Sequence, residues 1–295
     1  MQHTIQTLSE TELILTEQSE VYHLHLVPEQ LATTVITVGS PDRVAEVSKH
    51  FDSITHRVQN REFITHTGQI GNKPITVIST GIGTGNIDIV LNELDALVNI
   101  DFTTRTIKEQ KTALNIIRLG TCGTLQKDVA VDSLIASTHA IGLDNLLHYY
   151  RFSNSDEESA LLNAFIEQTG IGEGVVKPYI NECSSSLLQL FSGAYLQGIT
   201  ATCPGFYAPQ GRRVRLTPVY PDLLELMAGF TYPGHRILNF EMETAAIYGL
   251  GKLLGHNCLS VSAALANRAT HTFSKDPDTA VERMIVQSLD ILAAM

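Results

Sequence analysis

The chain has 295 residues, enough to bury a sizeable core in one large α/β domain or two smaller ones. Its composition, 43% hydrophobic and 17% charged, is that of a soluble globular protein, and a net charge of −11 argues against general binding to nucleic acid or a membrane surface, which needs basic patches. Cys122, Cys183, Cys203 and Cys258 have no CxxC spacing and read as reduced thiols of a cytoplasmic protein; no apolar run approaches the ~20 residues of a membrane span, and no signal peptide is expected.

Residues 1–30 are polar and mixed, with Tyr22 and His23 among them. Thr34–Val38 predicts a strand, followed by Gly39-Ser40-Pro41-Asp42-Arg43 and a helix. Arg61 opens Arg61-Glu62-Phe63. Ile75–Ser79 predicts a second strand running into Thr80-Gly81-Ile82-Gly83-Thr84-Gly85. The next helix is marked by Ile87, Val90, Leu91, Leu94, Leu97 and Val98 at helical spacing. Residues 98–114 carry few apolar anchors and read as an exposed polar insertion. Further strands are predicted at Asn115–Leu119, which leads into Gly120-Thr121-Cys122-Gly123, and at Ser133–Thr138, Gly198–Thr202, Arg236–Phe240 and Cys258–Ala264. A last helix starts near Asp276. No repeat, low-complexity tract or linker breaks the pattern, so a single domain over 1–295 is expected. Alternating strands and helices predict an α/β sheet with helices on both faces, and ligands bind beyond the carboxyl ends of such strands.

Several of those ends carry chemistry. Glu241-Met242-Glu243 puts two carboxylates where a buried strand gives way to a helix, an expensive arrangement unless they are paired or hydrogen-bonded. A sugar with vicinal hydroxyls is one partner that would satisfy them. Arg118 lies inside an apolar strand and needs a partner; planar bidentate pairing suits phosphate. Gln210 and Arg212, in the loop Phe206-Tyr207-Ala208-Pro209-Gln210-Gly211-Arg212, match the edge of a pyrimidine with two carbonyls and a ring N–H. Taken singly, the Gln210–Arg212 loop is more often an ordinary surface loop, and Arg118 is as readily a structural ion pair. Gly81-Ile82-Gly83-Thr84-Gly85 fails the dinucleotide fingerprint, because Asn86 takes the third glycine's place. The histidines form no zinc pattern, and neither a Walker A nor a GxSxG sequence is present.

Taken in order along one chain, these segments resemble the nucleoside phosphorylase superfamily of the NP-I type, and within it most the uridine phosphorylases. The resemblance implies a mixed central sheet flanked by helices and an enzyme, a pentosyltransferase, that cleaves uridine with phosphate. It implies that Gly39, Arg43, Arg61, Arg118 and Thr121 bind phosphate, with Arg61 reaching the site of a neighbouring subunit. It assigns the ribose to Met242, Glu243 and His23, the last from a neighbouring subunit beside Tyr22. The base falls to Phe206, Gln210 and Arg212, with Glu241 and Arg268 beside it. Arg118, Thr121, Glu243 and Arg212 are thus the expected catalytic set. Purine-cleaving relatives place an aspartate where Asn267-Arg268 stands. No cofactor is implied beyond phosphate as co-substrate. Members that bind a monovalent cation use the glutamate matching Glu62 and a serine, which is Asn86 here. A homo-oligomer, a dimer or a trimer of dimers, is implied, with no nucleic-acid or membrane partner. The alternatives are a purine nucleoside phosphorylase or nucleosidase of the same superfamily, and a non-catalytic nucleoside-binding protein on this fold.

Overall fold

The structure, a computed structural model, describes residues 7–174, 176–193 and 195–295. Its contacts divide the chain into two compact units: residues up to 81 with 86–116, and residues 82–85 with 117–295. Each is an α/β unit built on a mixed sheet.

In the first unit, β1 (Thr34–Val38) forms where its β-branched run predicts it. Helix α1 (Pro41–Ser48) begins with proline, whose missing N–H is not needed in a first turn. Strands β2 (Ser53–Asn60) and β3 (Phe63–Ile70) make an antiparallel hairpin. Its turn is Arg61-Glu62, with Arg61 in the left-handed region at φ 53°. The sequence pattern predicts neither strand, because β2 is polar and alternates between exposed and half-buried residues. β4 (Lys73–Ser79) pairs antiparallel with β3 and parallel with β1, giving the order β1-β4-β3-β2. Helix α2 (Thr84–Asn99) buries Val90, Leu91, Leu94 and Leu97, the stripe its spacing predicts. The polar stretch after it folds into a small hairpin, β5 (Ile100–Asp101) with β6 (Thr106–Ile107). Arg105 at its turn donates to the carbonyls of Leu8, Ser9 and Leu13. That clasp fixes an N-terminal segment whose Leu13, Val21, Leu24 and Leu26 are buried.

In chain order, the remaining elements are β7 (Asn115–Thr124), β8 (Leu134–Gly142), α3 (Asp156–Thr169), β9 (Tyr179–Glu182), α4 (Ser185–Leu190) and β10 (Leu196–Thr202). They continue with α5 (Leu223–Gly229), β11 (Thr231–Tyr232), β12 (His235–Glu241), α6 (Thr244–Leu254), β13 (Asn257–Asn267), β14 (Thr272–Phe273) and α7 (Pro277–Ala293). The strand order β12-β10-β8-β13-β7 is closed by antiparallel pairing of β12 with β7, at Asn239 with Thr124 and Phe240 with Gly123. Five strands of the second unit therefore form a ring. Ile141, Ile199, Ile237 and Phe240 from these strands pack with Phe165 of α3 and with Phe230 in one apolar cluster. Each fully buried side chain of that size contributes roughly 1.5–3 kcal/mol.

Local signals set the helices. Ser155 and Glu158 form a reciprocal capping box at the start of α3, and Gly170 ends it in the left-handed conformation. Asp276 accepts from Thr279 N at the start of α7. Helix α6 is buried from Thr244 to Gly251, so its N-terminus opens inside the unit rather than at the surface.

Candidate active site

The predicted pair of acids stands at the end of β12 and the start of α6. Glu241 is 4% exposed and Glu243 is 5% exposed, so both carboxylates need internal partners. Glu241 accepts from Thr202 Oγ1 at 2.6 Å, from Glu243 N at 2.9 Å and from Thr244 N at 3.0 Å. These N–H groups open helix α6, where an anion is favoured. Glu243 accepts from Gly83 N at 2.8 Å through Oε1.

Arg118 joins the two acids. Its Nη2 lies 2.7 Å from Glu243 Oε2 and 3.1 Å from Glu241 Oε2. Nη1 donates to Ser262 Oγ at 3.2 Å and Ser260 Oγ at 3.5 Å, both on the neighbouring strand β13. Burial works against its charge, yet Glu241 and Glu243 hold the guanidinium above its ordinary pKa. Burial also pushes the Glu241 carboxyl up, against the pull of Arg118. A Cβ on Gly120 would collide with the Arg118 guanidinium, so the side chain can fold back along β7 only beside a glycine. Thr121 follows half-buried, and its hydroxyl has no partner among the described residues. Cys122 is buried, with its thiol pushed up to about 12, which makes it a poor nucleophile.

The loop after β10 carries the predicted base-facing residues. Gln210 is 3% exposed, and its Oε1 accepts from Arg212 Nη1 at 2.6 Å. That bond fixes the amide orientation, because only the oxygen can accept, and no protein partner takes Nε2 among the described residues. The Arg212 guanidinium lies 3.6 Å from the Phe206 ring centroid, a cation–π contact on one face of that ring. Arg212 and Arg268 each lie 5.8 Å from the ring of Phe240, next in sequence to Glu241. Arg268 Nη1 donates to the Gln210 carbonyl at 3.1 Å. Burial and then the Arg268 charge lower the pKa of Arg212 to about 10. Asn267, by contrast, is buried as a loop cap. Its Nδ2 donates to the Gln126 and Val129 carbonyls, and its Oδ1 accepts from Ala269 N and Thr270 N.

The other predicted residues belong to the first unit. Gly39 ends β1 beside Gly81, and Arg43 lies in the first turn of α1. Arg61 is exposed at the hairpin tip, 5.8 Å over the ring of Tyr22. His23 Nδ1 lies 2.6 Å from Glu93 Oε1. Glu62 accepts from Asn86 Nδ2 at 3.3 Å. An amide thus faces the Glu62 carboxylate where the resemblance expects a serine hydroxyl. Among the described residues, no cluster of three or more His, Cys, Asp or Glu could hold a metal ion.

Sequence reasoning misses Ser260, Ser262, Thr202 and Glu93. The two serines did carry a signal: they alternate with apolar residues on a strand buried along most of its length. Glu93 carried none, being one acid on a mixed helix.

These strands and side chains are those of a member of the phosphorylase superfamily. The family's model matches residues 33–295, and the chain belongs to it. Among solved structures, the chain is similar to a Trypanosoma brucei nucleoside phosphorylase described as showing uridine phosphorylase activity. The TM-score is 0.88 at 30% identity, covering 96% of this chain and 100% of that one. The uridine phosphorylase of Thermococcus kodakarensis is 29% identical over 278 residues, 94% of this chain and 88% of its own length. A DeoD-type purine nucleoside phosphorylase of Shewanella oneidensis is 26% identical over 275 residues, 91% and 96% respectively.

Proposed function

We propose that the chain is an enzyme of pyrimidine nucleoside salvage that reversibly converts uridine and phosphate into uracil and ribose 1-phosphate. The observation that carries this reading is the Gln210–Arg212 pair. Arg212 occupies the amide oxygen and leaves an N–H donor beside a guanidinium, the donor set that suits carbonyls of uracil. The purine alternative lacks an acid at the late strand, where the amide of Asn267 is used up by the carbonyls of Gln126 and Val129 and the N–H groups of Ala269 and Thr270.

Breaking the C1′–N1 bond builds positive charge on the sugar and negative charge on the base, and the enzyme gains only by favouring both over the ground state. Phosphate oxygen bonds to C1′ as the electron pair of the broken bond passes to uracil, which then takes a proton from water. Glu243 accepts from the 2′ and 3′ hydroxyls, with Met242 against the sugar. Such positioning contributes up to about 7–11 kcal/mol in favourable cases. Gln210 and Arg212 stabilise the uracil anion, with Arg268 bracing their loop and Phe206 against the ring. The guanidinium of Arg118 and the free hydroxyl of Thr121 serve phosphate. Gly39, Arg43 and Arg61 carry the same assignment on their motifs. Glu241 holds the start of α6 and Arg118, and so shapes the pocket.

The protein works as a homo-oligomer in which His23 and Arg61 serve a neighbouring copy, and its free cysteines fit a reducing cytoplasmic setting. Catalysis needs no cation at Glu62. An assay of uridine, thymidine and inosine with and without phosphate tests the reading. Uridine cleavage that requires phosphate is expected; inosine cleavage in preference, or cleavage without phosphate, would refute it.

A further inference from the structure

We propose that a cavity of about 450 Å³, between the turn before α3 and the end of α6, is a second ligand site that takes a flat molecule carrying one oxyanion group, a phosphate monoester or a carboxylate. Its walls are Arg151, Phe152 and Ser153 of the turn, Asn181 of β9, and Lys252 and Leu253 of α6. None of these residues has a part in the reaction described above.

The charge of the walls is the first observation. The chain carries 31 acidic and 20 basic side chains, yet this cavity is walled by two cations and no acid. Arg151 is exposed and makes no hydrogen bond or ion pair among the described residues. Its whole N–H fork, the planar donor set that suits an oxyanion, is therefore on offer. Lys252 Nζ donates to both oxygens of Glu158 at 2.8 Å, which leaves one ammonium N–H without a protein partner. Ser153 adds a hydroxyl that has no partner among the described residues.

Asn181 is the second observation, and it is independent of charge. The residue is 2% exposed, and its Nδ2 has no hydrogen-bond partner. Its Oδ1 has none among the described residues either, so the amide can present its NH2 end to an oxyanion whichever way it turns. A buried amide left unpaired is costly, and a ligand oxygen in the cavity would satisfy it. The body of the ligand falls to Phe152. Edge contacts with His148 at 5.5 Å and Tyr179 at 6.5 Å between centroids hold that ring, and exposed Leu253 adds apolar surface to the walls. Convergent donors beside a fixed aromatic ring, in a volume ordinary for a small-molecule site, favour an aromatic anion over a bare ion.

Isothermal titration of the full-length protein with phenyl phosphate, benzoate and inorganic phosphate tests the site. At least one of the aromatic anions should bind, and the tighter of the two identifies the oxyanion. Arg151→Ala, a change at an exposed side chain, should weaken that binding at least ten-fold, the size of one charge-assisted hydrogen bond. Asn181→Ala should weaken it by a smaller factor. Arg212→Ala, in the candidate active site, should leave it unchanged. Binding of neither aromatic anion, equal affinity in Arg151→Ala, or loss in Arg212→Ala would overturn the proposal. Inorganic phosphate that binds as tightly as phenyl phosphate, and depends equally on Arg151, would mean an adventitious ion only and would overturn it too. Binding is read without turnover, so failure here leaves the uridine reading standing, and failure of uridine cleavage leaves this site standing.

Discussion

Arg212 does two things at once: it lies on Phe206 at 3.6 Å and takes the Gln210 amide oxygen at 2.6 Å. Its loss therefore removes a charge from the proposed base site and frees the amide to turn. Arg212→Ala should lower kcat for uridine by ~10²–10³, as removal of a transition-state donor does elsewhere, with little change in the KM for phosphate. Uridine cleavage near the unaltered rate would refute the base assignment. Glu243 gives a different pattern. Glu243→Gln should damage uridine cleavage more than 2′-deoxyuridine cleavage, since only the riboside offers both hydroxyls. Equal losses on the two substrates would remove the 2′-hydroxyl from its role. Part of either loss reflects Arg118, because Glu243 is also its 2.7 Å partner. The comparison between substrates cancels that shared part.

Among the elements, α3 shows how one buried acid can organise several neighbours. Glu158 is fully buried, caps α3 through Ser155, accepts from Glu182 N on β9, and takes both contacts of Lys252 Nζ from α6. Burial opposes its charge, but Lys252 and the backbone donors hold its pKa below the usual carboxylate value of 4.5. Its folded pKa lies below its unfolded one, so it stabilises the fold above the unfolded value and that contribution is lost as pH falls through the folded one. Glu158→Gln should destabilise the protein by ~2–3 kcal/mol at neutral pH and by less below pH ~4. Thermal melts at the two pH values check this, and an equal shift at both would contradict the charge argument.

The same elements show what the sequence made legible. The strands β1, β4, β12 and β13 were readable because their apolar runs end in glycine, acid or amide side chains at sharp junctions. Arg118, Gln210 and Glu243 were readable for the same reason: each is a costly residue in an apolar or turn context. The β2–β3 hairpin was not, since a half-exposed polar strand has no apolar alternation to detect. Nor was the clasp of Arg105 on the N-terminal segment, a contact across about a hundred positions. Closure of the ring by β12 and β7 is equally non-local. The capping box at Ser155 and Glu158 is a sequence signature, but the contacts of Glu158 with β9 and α6 are not.

For the molecule as a whole, net charge and proposed chemistry pull in opposite directions. A chain of net charge −11 repels an anionic co-substrate at long range, so phosphate must be attracted locally by arginines. Arg118 cannot relax that demand by losing its charge, because its two acid neighbours keep it protonated. Membership of the phosphorylase superfamily fits this design, and among the described residues no helix is long and apolar enough to cross a membrane. The central claim is that phosphate, not water, attacks the sugar. Phosphorus NMR of the protein with uridine and inorganic phosphate tests it directly. The account predicts a ribose 1-phosphate signal that grows in step with free uracil, and reverses when both products are supplied. Release of uracil with free ribose and no phosphate ester would contradict it.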